Sequence, residues 1–263
     1  MCFGNEADNT FLVSEKSMRR ILLVIAYDGT NYVGWQKQQN GLSVEEVMNK
    51  TISKFLNEEI EVIGASRTDS GVHAYGNVAV FDTESKIPAD KFAFALNERL
   101  PDDIRVQQSM EVEANFHPRK CDCIKTYCYR ILNRRHMIPT ERFYSTFVYS
   151  PLDVEKMRAA STYIVGEHDF KSFCSAGSQA KSTVRTIYNL DIDKDGDMIT
   201  IVIRGNGFLY NMVRIIVGTL IKVGLGVYPP EHVEEIMAAK DRGMAGQTVA
   251  AQGLTLVGIE YLE

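Results

Sequence analysis

Two kinds of apolar patterning alternate along this chain, and the order in which they alternate limits its fold more than any other feature. Ile21 to Tyr27 is a short run rich in branched residues that stops at the turn signal Asp28-Gly29, so it reads as a strand. Ser43 followed by Glu46 makes a capping box, and Val44, Val47, Met48, Thr51, Ile52, Phe55 and Leu56 then recur at helical spacing. The spacing predicts a helix from Val44 to Leu56. Strands are expected over Ile60 to Ile63 and Val78 to Phe81, then a helix over Ala89 to Arg99 ended by Pro101, then a strand over Ile104 to Gln107.

The rest of the chain approximates the same order. It offers a strand at Lys125 to Leu132, a helix at Asp153 to Ile164, strands at Ile187 to Asp193 and Met198 to Gly205, a helix at Met212 to Val223, and a strand at Val257 to Tyr261. An α+β protein of two similar β-α-β-β-α-β halves is therefore expected, although no sequence repeat accompanies the order. The N-terminal half spans residues 19–115 and the C-terminal half 116–263, after a flexible extension over 1–18. Such short connections suit mainly antiparallel sheets flanked by helices, and merging the two sheets leaves a central cleft between the halves.

Composition narrows the function classes. The longest apolar stretch, Met212 to Val223, is interrupted by Arg214, Gly218 and Lys222 and falls short of the roughly 20 residues that span a bilayer. No membrane span is read. Residues 1–17 carry Glu6, Asp8 and Glu15 and lack a basic segment followed by an apolar one, so they resemble neither a signal nor a transit peptide. Met18 is an alternative start, since strand-like alternation begins only at Arg20. Five cysteines, an odd number with three crowded between Cys121 and Cys128, make a poor disulfide framework and favour a reducing cytoplasm. Formal net charge is −5, which by itself argues against a nucleic-acid partner, but the charge is unevenly spread. Between His117 and His136, Arg119, Lys120, Lys125, Arg130, Arg134 and Arg135 face a single acid, Asp122. That is either a local basic face for phosphates or a solvated strand and turn.

Arg67-Thr68-Asp69-Ser70-Gly71-Val72-His73-Ala74 lies between two expected strands and is dense in functional groups. An Asp near an Arg stays ionised and can act as nucleophile or base; an Asx-turn with a surface arginine is the plain alternative. Tyr127 and Tyr129 share one face of an expected strand inside the basic segment, with Cys128 and Arg130 on the other. They either stack bases or pack as ordinary strand residues. The cysteine spacing does not match structural zinc patterns. Gly205-Asn206-Gly207 begins like a dinucleotide fingerprint, but Tyr210 stands where glycine or alanine is needed. No G-x-S-x-G elbow supports a serine hydrolase.

Taken together, certain stretches resemble the tRNA pseudouridine synthase A family over about Arg20 to Glu263. They are Tyr27-Asp28-Gly29 with Gly34-Trp35-Gln36, Arg67-Thr68-Asp69 through Gly71-Val72-His73-Ala74, and Phe116-His117 with Lys125-Thr126-Tyr127. Further on come Gly166-Glu167-His168-Asp169-Phe170, Phe208-Leu209-Tyr210-Asn211-Met212-Val213-Arg214, Ala239-Lys240-Asp241-Arg242 and Gly253-Leu254-Thr255-Leu256. Ser70 stands where alanine is common, Pro118 follows His117, and Thr255 replaces a frequent tyrosine. The resemblance implies merged α/β halves around a positive cleft, a homodimer, and isomerisation of uridine in the anticodon stem-loop of tRNA, at positions 38, 39 and 40. It implies no metal and no cofactor, since nothing is oxidised and no group is brought in.

The resemblance also implies roles. Asp69 matches the essential aspartate, which either adds to C1′ of the ribose or removes the C2′ proton. Tyr127 matches the tyrosine that contacts the target base, and Arg67 the arginine that fills the gap left by a flipped nucleotide. Arg214 is the candidate counter-ion of Asp69, and Leu254 a candidate apolar support beneath the base. Two other readings stand beside this one: an RNA-binding module that kept the scaffold without the chemistry, and a zinc-dependent RNA-modifying hydrolase built on the cysteine cluster.

Overall fold

The computed structural model describes residues 18–262; apart from Met18, the expected N-terminal extension lies outside the described residues. The first half runs β1 (Arg19–Tyr27), α1 (Val44–Leu56), β2 (Ile63–Gly64), β3 (His73–Thr83), α2 (Phe92–Asn97) and β4 (Ile104–Val112). The chain continues through β5 (Cys123–Asn133), β6 (Thr146–Val148), α3 (Val154–Ser161), β7 (Gly166–Asp169), β8 (Val184–Asp195) and β9 (Met198–Gly205). It closes with α4 (Met212–Gly224), α5 (His232–Ala239) and β10 (Leu254–Tyr261).

All ten strands join one sheet, whose main path is β4-β1-β3-β10-β5-β9-β8-β7, with β2 on β3 and β6 on β5. The order β4-β1-β3 with β2 on β3 is matched by β10-β5-β9 with β8 on β9. Strand for strand, and with α1 and α2 answering to α3 and α4, the β-α-β-β-α-β order recurs as expected. The seam is parallel, with Thr255 opposite His73 and Leu256 opposite Ala74. Most other pairings are antiparallel, as the short connections required. β10 and β2 occupy the same edge of β3 at different places, one at His73 and Ala74, the other at Ala79 and Val80.

Side-chain alternation fixes which face is buried. Ile21, Leu23 and Ile25 of β1 and Ile199, Ile201 and Ile203 of β9 join one core cluster with Met48 and Ile52 of α1 and Ile215, Ile216 and Leu220 of α4. Each fully buried side chain of this size contributes about 1.5–3 kcal/mol, and the cluster runs through both halves. α4 is apolar nearly all round and correspondingly enclosed; no described helix is long and apolar enough to cross a membrane. On the reverse face Leu22, Val78 and Val80 form a smaller cluster roofed by Phe116 and Tyr261.

The elements depart from expectation in identifiable ways. α1 has its expected bounds, and the Ser43 hydroxyl accepts the Glu46 amide at 3.2 Å. The Glu46 carboxylate does not complete the box but turns to Lys50, 2.7 Å away. β3 starts at His73, not Val78, because Asn77 and His73 are buried by hydrogen bonding rather than by apolarity. The expected helix at Ala89 divides into a 3-10 turn and the short α2. β6, β7 and α5 were not expected; β6 and β7, of three and four residues, are too short to build a recognisable period.

Candidate active site

The loop between β2 and β3 is held from both sides. Asn77, fully buried on β3, donates to the Ser66 carbonyl at 3.1 Å and accepts the Ser66 amide at 3.3 Å. The hydroxyls of Tyr27 and Thr68 share a hydrogen bond of 2.7 Å. From the other side, the Trp35 amide donates to the Thr68 carbonyl at 3.1 Å. Gly34 has φ +104°, and a Cβ there would stand 2.5 Å from the Thr68 oxygen; one on Gly29 would stand 2.0 Å from the Val72 oxygen. Only glycine permits both the conformation and the approach. The Tyr27-Asp28-Gly29 and Gly34-Trp35-Gln36 stretches are thus the cradle of the loop that carries Asp69.

Arg214, in the first turn of α4, reaches this loop from the other half of the chain. Its Nη1 donates to Asp69 Oδ2 at 3.2 Å and to Asn211 Oδ1 at 2.8 Å, while its Nε donates to the Val249 carbonyl at 2.8 Å. Asn211, in the left-handed region at φ 60°, donates in turn to Ser175 Oγ at 3.0 Å. Both partners of the ion pair are largely enclosed, with side-chain exposures of 16% for Arg214 and 24% for Asp69. Burial pushes the Asp69 carboxyl above its ordinary value, and the charge and hydrogen bond of Arg214 oppose that shift without reversing it. The expected counter-ion is in place, but burial outweighs it.

Tyr127 and Tyr129 share a face of β5, as alternation required. They do different things. Tyr129 is fully buried and its hydroxyl donates to the Ala250 carbonyl at 2.7 Å. Tyr127 lines the cleft, with its ring edge-on to Phe208 at a centroid distance of 5.1 Å. Burial pushes the Tyr127 phenol up to about 12, the nearby Asp69 charge adds to the rise, and a hydrogen bond with Ser66 opposes it. The phenol is therefore protonated at neutral pH and can donate a hydrogen bond. Leu254, the first residue of β10, sits opposite Tyr129 in the strand register and also lines the cleft.

The cleft holds about 1410 Å³ and is walled by both halves. That exceeds the 300–1,000 Å³ usual for a small-molecule pocket. Arg67, exposed on one wall, donates to Gln179 Oε1 on the other at 3.1 Å. The basic segment divides: Arg119, Lys120 and Lys125 line the cleft, whereas Arg130 pairs with Glu141 and Arg134 with Asp197, each at 3.2 Å. Of the histidines, His73 ties the Gly29 amide to the Phe143 carbonyl, at 3.0 and 2.9 Å. His117 accepts the Arg119 amide at 3.2 Å, and His168 meets the Val165 carbonyl at 3.0 Å. These are structural ties. Among the described residues no group of three or more His, Cys, Asp or Glu is arranged to hold a metal ion.

Sequence reasoning brought Asp69, Arg67, Tyr127, Arg214 and Leu254 to one region, but it did not single out Lys125, Ser66, Asn77, Asn211 or Phe208. Lys125 had a legible signal, since it precedes Tyr127 by two residues on the same strand face. Asn211 stands three residues before Arg214, its hydrogen-bond partner, within the Phe208–Arg214 stretch, whereas Asn77 had no signal because its partners Ser66 and Tyr27 are remote in sequence.

A large cleft with a partly basic wall, on which a carboxylate backed by an arginine stands near a tyrosine, can seat a phosphate-bearing chain and bring an acid–base group to it. Known proteins agree. A family model described as tRNA pseudouridine synthase matches residues 23–119 and 159–262. A protein of Thermoanaerobacter sp. (strain X514) named tRNA pseudouridine synthase A is 52% identical over 244 residues, which cover 93% of this chain and 100% of that protein. Proteins of the same name from Ruminiclostridium cellulolyticum and Acetivibrio thermocellus are 51% and 46% identical, again over 93% of this chain and 100% of theirs. The chain belongs to the tRNA pseudouridine synthase family, whose activity is that of an isomerase of uridine in tRNA.

Proposed function

We propose that this chain converts uridine to pseudouridine in the anticodon stem-loop of tRNA, at positions 38, 39 and 40, with Asp69 as the catalytic carboxylate. The observation that carries the reading is the Asp69–Arg214 pair, drawn from the two halves, with the Asp69 carboxylate on the wall of the cleft. An RNA-binding surface has no use for a buried carboxylate, which repels phosphate.

The reaction is an isomerisation. The N1–C1′ bond breaks, the uracil turns while held, C5 bonds to C1′, the C5 proton leaves and N1 takes up a proton. Asp69 acts as a carboxylate, either adding to C1′ as N1 departs and leaving again as C5 attacks, or removing the C2′ proton and returning it once C5 has bonded, and Arg214 keeps it aimed and opposes its protonation. The target base must first leave its stack, at a cost of a few kcal/mol that is smallest in a loop. Arg67, exposed on the cleft wall, fills the gap. The base lies against Tyr127, and its C5 proton leaves to the Tyr127 oxygen directly or through one held water. Leu254 and Phe208 line the pocket with apolar surface, which excludes the water that would otherwise capture C1′ and release the base.

The same reading divides the chain into halves over 19–115 and 116–263, and makes the protein a cytoplasmic homodimer. The test is to incubate it with unmodified tRNA carrying tritium at uracil C5, without added metal or nucleotide. Tritium release is expected, at uridines of the anticodon arm. Binding without release would favour a module that holds tRNA without altering it.

A further inference from the structure

Lys125 is a half-buried cation whose two hydrogen-bond partners are both neutral. Its ammonium donates to the Ala65 carbonyl at 3.1 Å and to Ser66 Oγ at 2.8 Å. A lysine has three donors, so one N–H is left over in a side chain that lines the cleft. Among the described residues no carboxylate forms an ion pair with it. Arg130, Arg134, Arg204 and Arg214 each have one.

Two further cations stand near. Arg119 lines the same cleft, and Arg185 at the start of β8 lies along Gly207, where a Cβ would be 3.5 Å from its Nε. Arg185 spends its Nη1 on the carbonyls of Ser182 and Val184, at 2.9 and 2.6 Å, and neither arginine pairs with an acid among the described residues. Asp122 is on this wall too, exposed and paired with none of the three. Burial lowers the pKa of Lys125, and the charges of Arg119 and Arg185 lower it further. With one N–H of Lys125 unspent and no acid paired with any of the three, an anion on this wall gains from all three charges.

We propose that Lys125, with Arg119 and Arg185, is a phosphodiester-binding subsite that seats the RNA backbone beside the target uridine. The proposal rests on reading the cleft as a tRNA site. Two residues along a strand span about 7 Å, so a base against Tyr127 and a phosphate on Lys125 can belong to one nucleotide. The same ammonium holds Ser66, three residues before Asp69, so engaging the phosphate also steadies the catalytic loop.

The test is the salt dependence of binding to an unmodified tRNA transcript. Each phosphate contact contributes about 0.7–0.9 to the slope of log affinity against log salt. Lys125→Met is expected to lower the slope by about one such contact and to weaken binding at low salt, while Lys125→Arg retains the parental slope. A Lys125→Met protein that keeps the parental slope yet loses turnover would overturn the subsite and leave Lys125 as a tie for Ala65 and Ser66. If Lys125→Met does not fold, Arg185→Met is read in the same way, and an unchanged slope overturns the proposal. A flat salt response in the parent protein would defeat the tRNA reading itself, a result distinct from either.

Discussion

Asp69 is held between two opposed effects. Enclosure raises its pKa from the ordinary 3.8 and Arg214 restrains the rise, so the proposed chemistry depends on a carboxylate whose ionisation the fold resists. Two predictions belong to this residue. A carboxyl with a raised folded-state pKa gives its full stabilising contribution below its unfolded value and loses it as pH rises through the folded one. Asp69→Asn should therefore melt above the parent at neutral pH, and the gain should vanish as pH falls below the ordinary carboxylate value; a loss of stability at neutral pH would contradict this. Removing the restraint should move the acid limb of activity. In Arg214→Met the fall of kcat/KM on acidification should begin at higher pH than in the parent, and an unmoved limb would show that Arg214 does not govern the ionisation of Asp69. The sequence marked Asp69 as a loop carboxylate beside Arg67, but its hydrogen-bonded arginine lies 145 residues away. Only the family resemblance linked the two, because no local pattern encodes a contact between halves.

At the scale of elements, legibility follows the length of the period. α1 could be read to its bounds because its cap and stripe are both local, whereas β3 hid its start behind polar residues that the fold buries. The cradle of the Asp69 loop was visible only as two glycine-containing stretches; their meaning is a clearance. Gly34→Ala would place a Cβ 2.5 Å from the Thr68 oxygen at a φ of +104°, and such strain costs about 1–3 kcal/mol. The substitution is expected to lower the denaturation midpoint and, by displacing the backbone next to Asp69, to lower kcat as well. Gly226→Ala is the control, since it shares a positive φ of +72° but meets nothing within 4 Å. It should cost stability alone. Equal losses of kcat in both variants would show that Gly34 has no particular bearing on the catalytic loop.

At the scale of the molecule, the duplicated order was legible from apolar periodicity, but the seam was not. Only two residue pairs form the parallel β3–β10 ladder, too few to leave a pattern, and its partners lie in different halves of the chain. The consequence is one sheet and a principal core cluster that runs through both halves. A single cooperative unfolding transition is expected, with calorimetric and van't Hoff enthalpies equal. Two resolved transitions would mean that the halves are separate folding units and that the cleft between them is loosely held.

The central claim, that Asp69 performs the isomerisation in a cleft built to hold tRNA, is tested most directly by comparing Asp69→Asn with the parent in one experiment. Tritium release from uracil C5 and affinity for the same tRNA would be measured together. The account predicts that affinity is retained and that release falls by at least the 10²–10⁴-fold typical of losing a positioned acid–base group. Release at a rate near the parent's, with binding intact, would contradict it.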